Sequence, residues 1–453
     1  MKTNNTMKMK HLLFAITLVS SLCLKINAQI QPTKILINNV EIFNGIDNKL
    51  VKGNILIEGN IISKISQSPI PTDKSGSTKI IDGQGKFLMP GLIDAHVHLL
   101  FESVPKMQAM TSDFAMLNLL AAKAAEKQLL RGFTTVRDLG GGSLSLAKAI
   151  DMGLVTGPRV YSSGAFISQT GGHGDFGLPT DVPRKIGELS YAERNGMVAV
   201  ADGEDAVLLR SREQLRQGAT QLKLMAGGGV SSDYDPLDVT QYTSKEFATA
   251  VSAAENWGTY VTVHAYTPLA IKTAIDAGVK CIDHGQLADE ATAKLMAQKG
   301  IWWSLQPFLD DEDANPLPAG SPNKLKQIEM TKGTATAYAL AKKYKIKTAW
   351  GTDVLFDPKL AEKQGKQLAK LINWYHPFEI LKMATSTNAE LLRMSGKRNP
   401  YQKGNLGEIT EGAYADLILV DGNPLKEINL VADPENKFLI IMKDGVIYKN
   451  ILK

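Results

Sequence analysis

The stretch GLIDAHVHLL (91–100), then MLNLLAAKAAEKQLLRG (116–132), then FTTVRD (133–138), decides the fold. A short apolar, strand-like run gives way to an Ala/Leu/Lys-rich helical stretch and then to a β-branched run. The alternation recurs along the centre of the chain. Candidate strands fall at 92–97, 133–138, 159–163, 220–225, 259–264, 280–284, 301–305 and 346–352, with helical text such as SKEFATAVSAAENWG (244–258) between them. These β-then-α units predict an α/β protein with a (β/α)8 TIM barrel over 89–396. A doubly wound open sheet has the same alternation and is the alternative. The connections 164–219 and 306–345 are long. After barrel strands, such segments are candidate lids or substrate walls.

Outward from the barrel, both ends of the chain turn strand-like. TKILINNVEIFNG (33–45), GNILIEGNIISKIS (53–66) and KIIDGQGKFLMPG (79–91) alternate apolar and polar residues between glycine turns. NLGEI (405–409), YADLILVD (414–421) and KFLIIMKDGVIY (437–448) do so again. They predict a smaller β-sandwich domain composed of 29–88 and 397–453.

The first 28 residues read as an export signal: Lys2, Lys8 and Lys10 precede the apolar run His11–Leu24, and Ala28 precedes the cleavage point. An uncleaved anchor is the alternative, but the run is short for a bilayer span and Lys25 ends it. A lipid-bearing Cys23 is disfavoured by Leu22 before it. The expectation is an exported, periplasmic or secreted protein with no stable membrane span after signal removal.

The 453 residues are 44% hydrophobic and 21% charged, enough for a large core and too balanced for wholesale disorder. The net charge of +5 mostly belongs to the signal. Its removal takes away four lysines and no acid, leaving 47 basic residues against 46 acidic. With no basic cluster besides, nucleic acid is not an expected partner. Of 2 cysteines only Cys281 remains, which excludes a disulfide scaffold or a cysteine-rich metal site.

The 7 histidines carry the chemistry. His96 and His98 end the first barrel strand, and their i, i+2 spacing puts both imidazoles on one face. His264 ends the fifth strand (YVTVHAY), His284 the sixth (CIDHG), and Asp353 the eighth (TAWGTD). Barrel enzymes keep their chemistry at such strand ends. A single buried histidine is commonly a structural residue, but four with an aspartate at one barrel end make a donor set suited to Zn²⁺. Lys223 (QLKLMAGGG) ends the fourth strand. As an ammonium it would repel a cation; carboxylated by CO₂ it would become an anionic bridging ligand. The blander readings are a flexible loop for Gly227–Gly229, strand core and rim for Trp302 and Trp303, a structural pair for Arg137 and Asp138, and core for Cys281. His376 has no assigned role.

Together PGLIDAHVH (90–98), His264, His284, GTD (351–353) and GEITEGAYADLILVD (407–421) resemble the amidohydrolase superfamily over nearly all of the chain after the signal. RDLGG (137–141), TGGHGD (170–175) and KLMAGGGVSSD (223–233) are most similar to its imidazolonepropionase-like, Xaa-Pro dipeptidase-like members. Imidazolonepropionase itself is mononuclear and lacks the strand-four lysine, so Lys223 argues against that activity. The resemblance implies two divalent metal ions, with Zn²⁺ as the default: one held by His96, His98 and Asp353, the other by His264 and His284, bridged by carboxylated Lys223. It implies that Asp353 shuttles the proton, that His173 contacts substrate near the scissile carbonyl, and that Tyr266 contacts substrate. The expected reaction is hydrolysis of an amide or peptide bond of a dipeptide or N-acyl amino acid by a hydroxide shared between the metals. A lactone, cyclic amide or organophosphate hydrolase is the alternative, and a catalytically dead binding protein a third reading. A homo-oligomer is left open.

Overall fold

The computed structural model describes residues 34–73, 77–185 and 187–453, so the expected signal lies outside the described residues. The chain opens with five strands, β1 (Lys34–Phe43), β2 (Leu50–Glu58), β3 (Ile61–Ser66), β4 (Thr78–Asp82) and β5 (Phe87–Pro90). It closes with β16 (Leu417–Val420), β17 (Phe438–Lys443) and β18 (Val446–Asn450). Hydrogen bonding joins these eight as one mixed sheet, in the order β18-β17-β16-β5-β1-β2-β3 with β4 also on β1. The strands of the two chain ends thus meet in one hydrogen-bonded path. The cause lies in β1, which is bulged between Ile37 and Val40 and pairs with β4 along its first half and β5 along its second. The sheet thus turns about its own apolar residues, and Ile37, Ile55, Ile57 and Ile81 share one buried cluster with Leu88, Leu417, Leu419 and Met442.

Between the ends run β6 (Leu92–Val97), β7 (Phe133–Asp138), β8 (Arg159–Ser162), β9 (Phe166–Ser168), β10 (Val198–Val200), β11 (Leu222–Met225), β12 (Val261–Ala265), β13 (Cys281–His284), β14 (Trp302–Leu305) and β15 (Thr348–Trp350). Their pairings are parallel and form two ladders, β6-β7-β8 and β10-β9-β11-β12-β13-β14-β15. The arrangement is TIM-barrel-like, with helices between parallel strands, but the ladders are not closed into one sheet. One seam is crossed by Thr220 N–H donating to the Ser162 carbonyl (2.8 Å), the other by Asp353 N–H donating to the His96 carbonyl (2.8 Å).

The third strand position is broken. Residues 163–165 leave the ladder and β9 resumes it beside β11, so the 164–219 connection carries strand and helix rather than loop alone. The helices obey their sequence signals. The one over Ser244–Asn256 starts at Thr243, whose side chain accepts from Glu246 N–H while the Glu246 carboxylate accepts from Thr243 N–H. Its Phe247, Ala250 and Ala254 pack in one core with Val261 and Val263 of β12. No helix among the described residues is long and apolar enough to cross a membrane.

Candidate active site

His96, His98, Lys223, His264, His284 and Asp353 are brought to one end of the strands, where with His173 and Tyr266 they line a single cavity of about 450 Å³. His96 Nε2 and His98 Nε2 each lie 3.1 Å from Asp353 Oδ1, and His284 Nδ1 lies 3.7 Å from Asp353 Oδ2. The imidazole rings form a chain: His96 to His284 at 4.9 Å between centroids, His284 to His264 at 4.5 Å, and His264 stacked on His173 at 4.0 Å. Tyr266 stands edge-on to His264 at 4.9 Å.

Backbone geometry explains how adjacent residues reach the interior. His284 (φ 75°) and Asp353 (φ 52°) both sit in the left-handed region, which costs a non-glycine residue about 1–3 kcal/mol. Such strain at two strand ends marks a working site. Glycines permit the close approaches: a Cβ at Gly351 would stand 2.5 Å from the His96 Cβ, and one at Gly229 would stand 1.9 Å from the His173 ring.

The hydrogen bonds fix which ring nitrogen faces the cavity. His98 Nδ1 lies 3.2 Å from the Gly140 carbonyl and His264 Nε2 lies 3.0 Å from the Gly228 carbonyl. A carbonyl only accepts, so those nitrogens carry the protons and leave His98 Nε2 and His264 Nδ1 as lone pairs. The Gln306 amide nitrogen donates to the Ser304 carbonyl, so its oxygen accepts from His284 Nδ1 (2.8 Å) and His284 Nε2 is the lone pair. His96 Nε2 is buried and, although close to Asp353, has no aligned hydrogen-bond partner.

Ligand-capable atoms of His96, His284 and Asp353 lie within 4.8 Å of one another. Neutral imidazoles with inward lone pairs and a carboxylate fit a divalent cation. Burial keeps the His264 ring neutral, helped by the Lys223 charge, and its pKa falls to about 3. His284 and His173 are likewise held well below the usual range by burial. At His96 burial opposes the charged form, but the Asp353 and Asp283 carboxylates outweigh it and raise the pKa. Asp353 is held well below the carboxylate range: burial opposes ionisation, and His96 and His284 outweigh it.

Lys223 is 1% exposed, and burial lowers its pKa toward the neutral amine. Its Nζ donates to Asp283 Oδ2 at 2.7 Å. Asp283 escaped the sequence reading, as did Gln306. The signal for Asp283 was adjacency to His284; the φ of His284 breaks strand alternation, so both residues turn inward. Arg137 and Asp138 do not pair with each other. Arg137 Nη2 pairs with Asp283 Oδ1 at 2.7 Å, while Asp138 accepts from Leu99 N–H at 2.8 Å. Trp302, Trp303 and Cys281 are all buried, and His376 precedes the short helix Pro377–Lys382.

His173 is 7% exposed, and its Nδ1 lies 2.7 Å from Ser232 Oγ on the loop after β11. The rest of the cavity is largely apolar. Phe166, Phe176 and Phe356 line one side, and Tyr266, Phe308 and Met330 belong to other lining segments.

A family model described as "Amidohydrolase family" matches residues 87–452. Ochratoxinase of Aspergillus niger is 32% identical over 414 residues, covering 87% of this chain and 82% of that protein. A prolidase solved in complex with N-methylphosphonate-L-proline superposes with a TM-score of 0.82 at 32% identity, over 92% of this chain and 100% of the other. A Xaa-Pro dipeptidase with bound methionine in its active site gives 0.78 at 29%, with the same coverage of 92% and 100%.

Proposed function

This chain belongs to the amidohydrolase family and is a hydrolase acting on carbon–nitrogen bonds; from that premise we propose that it hydrolyses the amide bond of a dipeptide or an N-acyl amino acid. The observation that carries the reading is the ring of histidines around Asp353, with His98, His264 and His284 each anchored through one ring nitrogen so that the other faces inward, at the floor of a largely apolar cavity.

His96, His98 and Asp353 would hold one divalent cation, and His264 and His284 a second, with Lys223 bridging them once carboxylated by CO₂. Burial favours the neutral Lys223 amine, the form that adds CO₂. Zinc is the default for these nitrogen and oxygen donors. Bound, such cations supply Lewis acidity, lowering the pKa of water and polarising the scissile carbonyl.

The remaining steps fall to the chain's own groups. Asp353 is ionised and takes the proton of the attacking water, then delivers it to the leaving nitrogen, which departs poorly unless protonated. His173, fixed through Ser232, hydrogen-bonds the substrate near its carbonyl. Tyr266 packs beside the bound acyl group.

Export and loss of the first 28 residues complete the proposal, as do the boundaries of a barrel domain at 89–396 and a composite end domain at 29–88 and 397–453.

The test is a panel of dipeptides and N-acyl amino acids offered to the chain from residue 29, loaded with Zn²⁺ and bicarbonate. Hydrolysis with release of the free amine is expected. Uniform failure by a metal-loaded enzyme that opens lactones would overturn the amide assignment.

A further inference from the structure

We propose that Gln364 is a positioning residue that joins the cavity wall to the strand ends carrying His96 and Asp353. The inference deepens the metal-dependent reading of those two side chains and rests on it.

The chain of contacts starts at Asp94, a fully buried carboxylate of β6 to which the mechanism gives no role. β6 is bulged between Asp94 and Val97 in its pairing with β7, a device that re-aims side chains beside active sites. Asp94 Oδ1 accepts from His96 N–H at 3.0 Å and from Thr352 N–H at 3.1 Å, and Oδ2 accepts from the Thr352 hydroxyl at 2.7 Å. One carboxylate thus holds the backbone at both proposed ligands of one cation: at His96 itself, and at Thr352 next to Asp353. It spans the seam that the bond from Asp353 N–H to the His96 carbonyl also crosses. The fourth donor, Gln364 Nε2 at 2.9 Å, is the one supplied from outside these two strand ends. All four donors are uncharged, but Gln364 brings a charge near: its Oε1 accepts from Arg131 Nε at 3.0 Å, so the amide stands polarised between a guanidinium and a carboxylate. The same two bonds fix which way the amide points, because a carboxylate only accepts and a guanidinium only donates.

Gln364 opens the helix Gln364–Ala369, and its neighbours on that helix face the wall. Lys363 and Lys366 each reach Asp313 at 2.7 Å, Gln367 Nε2 donates to the Asp313 carbonyl at 3.0 Å, and Lys370 reaches Asp311 at 2.8 Å. Positions 363, 366, 367 and 370 form one helical face, and 364 lies off it. The helix is pressed close on a third side, where a Cβ at Gly365 would stand 2.0 Å from the Val431 carbonyl oxygen. A helix held this way moves as a unit. A shift of the wall at 311–313 therefore pulls on Asp94 through Gln364, and the Gln364–Asp94 bond is the joint between wall and floor.

The experiment reads amide hydrogen exchange at Thr352 in the metal-free chain and Co²⁺ binding without substrate. Gln364→Glu keeps an acceptor for Arg131 and loses the donor to Asp94. It should speed Thr352 exchange by about tenfold or more, leave exchange at Val263 of β12 unchanged, and weaken Co²⁺ binding by about 10–100-fold, the worth of an outer partner of a metal ligand. Asp313→Asn, remote from the joint, should speed Thr352 exchange several-fold, whereas Lys324→Met, on the separate helix Pro322–Lys332, should not. If Gln364 only filled space, Gln364→Glu would speed exchange at Thr352 and Val263 alike, or at neither. Either result overturns the joint, as does an Asp313→Asn variant whose Thr352 amide exchanges like that of the wild type. A wild type that binds no Co²⁺ overturns the metal reading of His96 and Asp353 instead, and exchange at Thr352 still decides the joint.

Discussion

The floor and the wall of the cavity are built on opposite plans. Beneath the histidines, Arg137 on β7 donates to the Ala95 carbonyl of β6 (2.6 Å), to Asp283 of β13 (2.7 Å) and to Ser304 of β14 (3.2 Å). Asp283 in turn accepts from Lys223 of β11 and Thr262 of β12, both at 2.7 Å. One buried ion network therefore ties six strands together. The wall contains the segment around Asp310–Asn315, after β14. Lys363 and Lys366 clasp it at Asp313, Lys370 at Asp311, and Lys324 at Asp310, with all four contacts between 2.7 and 2.8 Å. The lysines, unlike the floor residues, mostly reach solvent. Low dielectric makes every floor contact expensive to break, whereas water screens most wall contacts. Chemistry is placed where geometry cannot drift, and substrate fit where it can adjust.

The sharpest way to break the comparison is at Arg137. Arg137→Met removes the central cation and leaves Asp283 fully buried, with the Lys223 amino group and the Thr262 hydroxyl as its remaining side-chain donors. Breaking such a pair from one side costs about 3–5 kcal/mol, and urea unfolding should show that loss. A cost under about 1 kcal/mol would mean the floor is no more rigid than the wall.

Lys223→Ala comes next. It removes the proposed bridge while sparing Arg137–Asp283. Bound divalent ion, measured by metal analysis, should fall together with turnover, by about 100-fold or more, since even outer partners of a metal ligand are worth 10–100-fold. Two retained metals with normal turnover would refute carboxylation.

The floor was legible in the sequence and the network beneath it was not, for physical reasons. A histidine at the end of a β-branched run is uncommon, and His96, His98, His264 and His284 each announced themselves that way. Asp283 and Arg137 lie inside strands, where a charge looks like a solvated face until the opposite strands are known. Gln306 is an ordinary polar residue until its amide is seen between Ser304 and His284. The wall was readable as a long connection but not as a clasp, because the carboxylates at 310–313 and the lysines at 363–370 are remote in sequence. The end domain was legible strand by strand but not in its pairing, because alternation gives each strand's faces but not its partners. The bulge that lets β1 serve both β4 and β5 has no such signature.

Within the wall, Asp313→Asn should have the larger effect. The Asp313 carboxylate is 1% exposed. Burial opposes its ionisation, but hydrogen bonds from Lys363 and Lys366 and the field of Lys370 outweigh this and hold its pKa at about 2. A folded pKa below the unfolded value stabilises the clasp above about pH 4, and that contribution is lost as pH falls through about 2. Asp313→Asn should therefore raise KM several-fold near neutrality and hasten proteolytic nicking around 310–315. The difference from wild type in nicking should shrink toward pH 2. A difference independent of pH would place the effect in packing instead of charge.

The smallest expected effect belongs to Lys324→Met. Its partner Asp310 is 53% exposed, and Lys324 also reaches Gln327 Oε1 at 2.8 Å. Exposed pairs of this kind contribute about 0.2–1 kcal/mol and are screened by salt. The variant should shift KM by no more than about twofold, and 1 M NaCl should abolish even that. Asp313→Asn, acting at a buried carboxylate, should keep much of its effect in the same salt, because ions do not reach the 1% of its surface left open. Measuring both variants at low and high salt thus separates the water-facing latch from the buried clasp. Equal salt sensitivity in the two would show the wall to be uniform and its buried carboxylate to be unimportant.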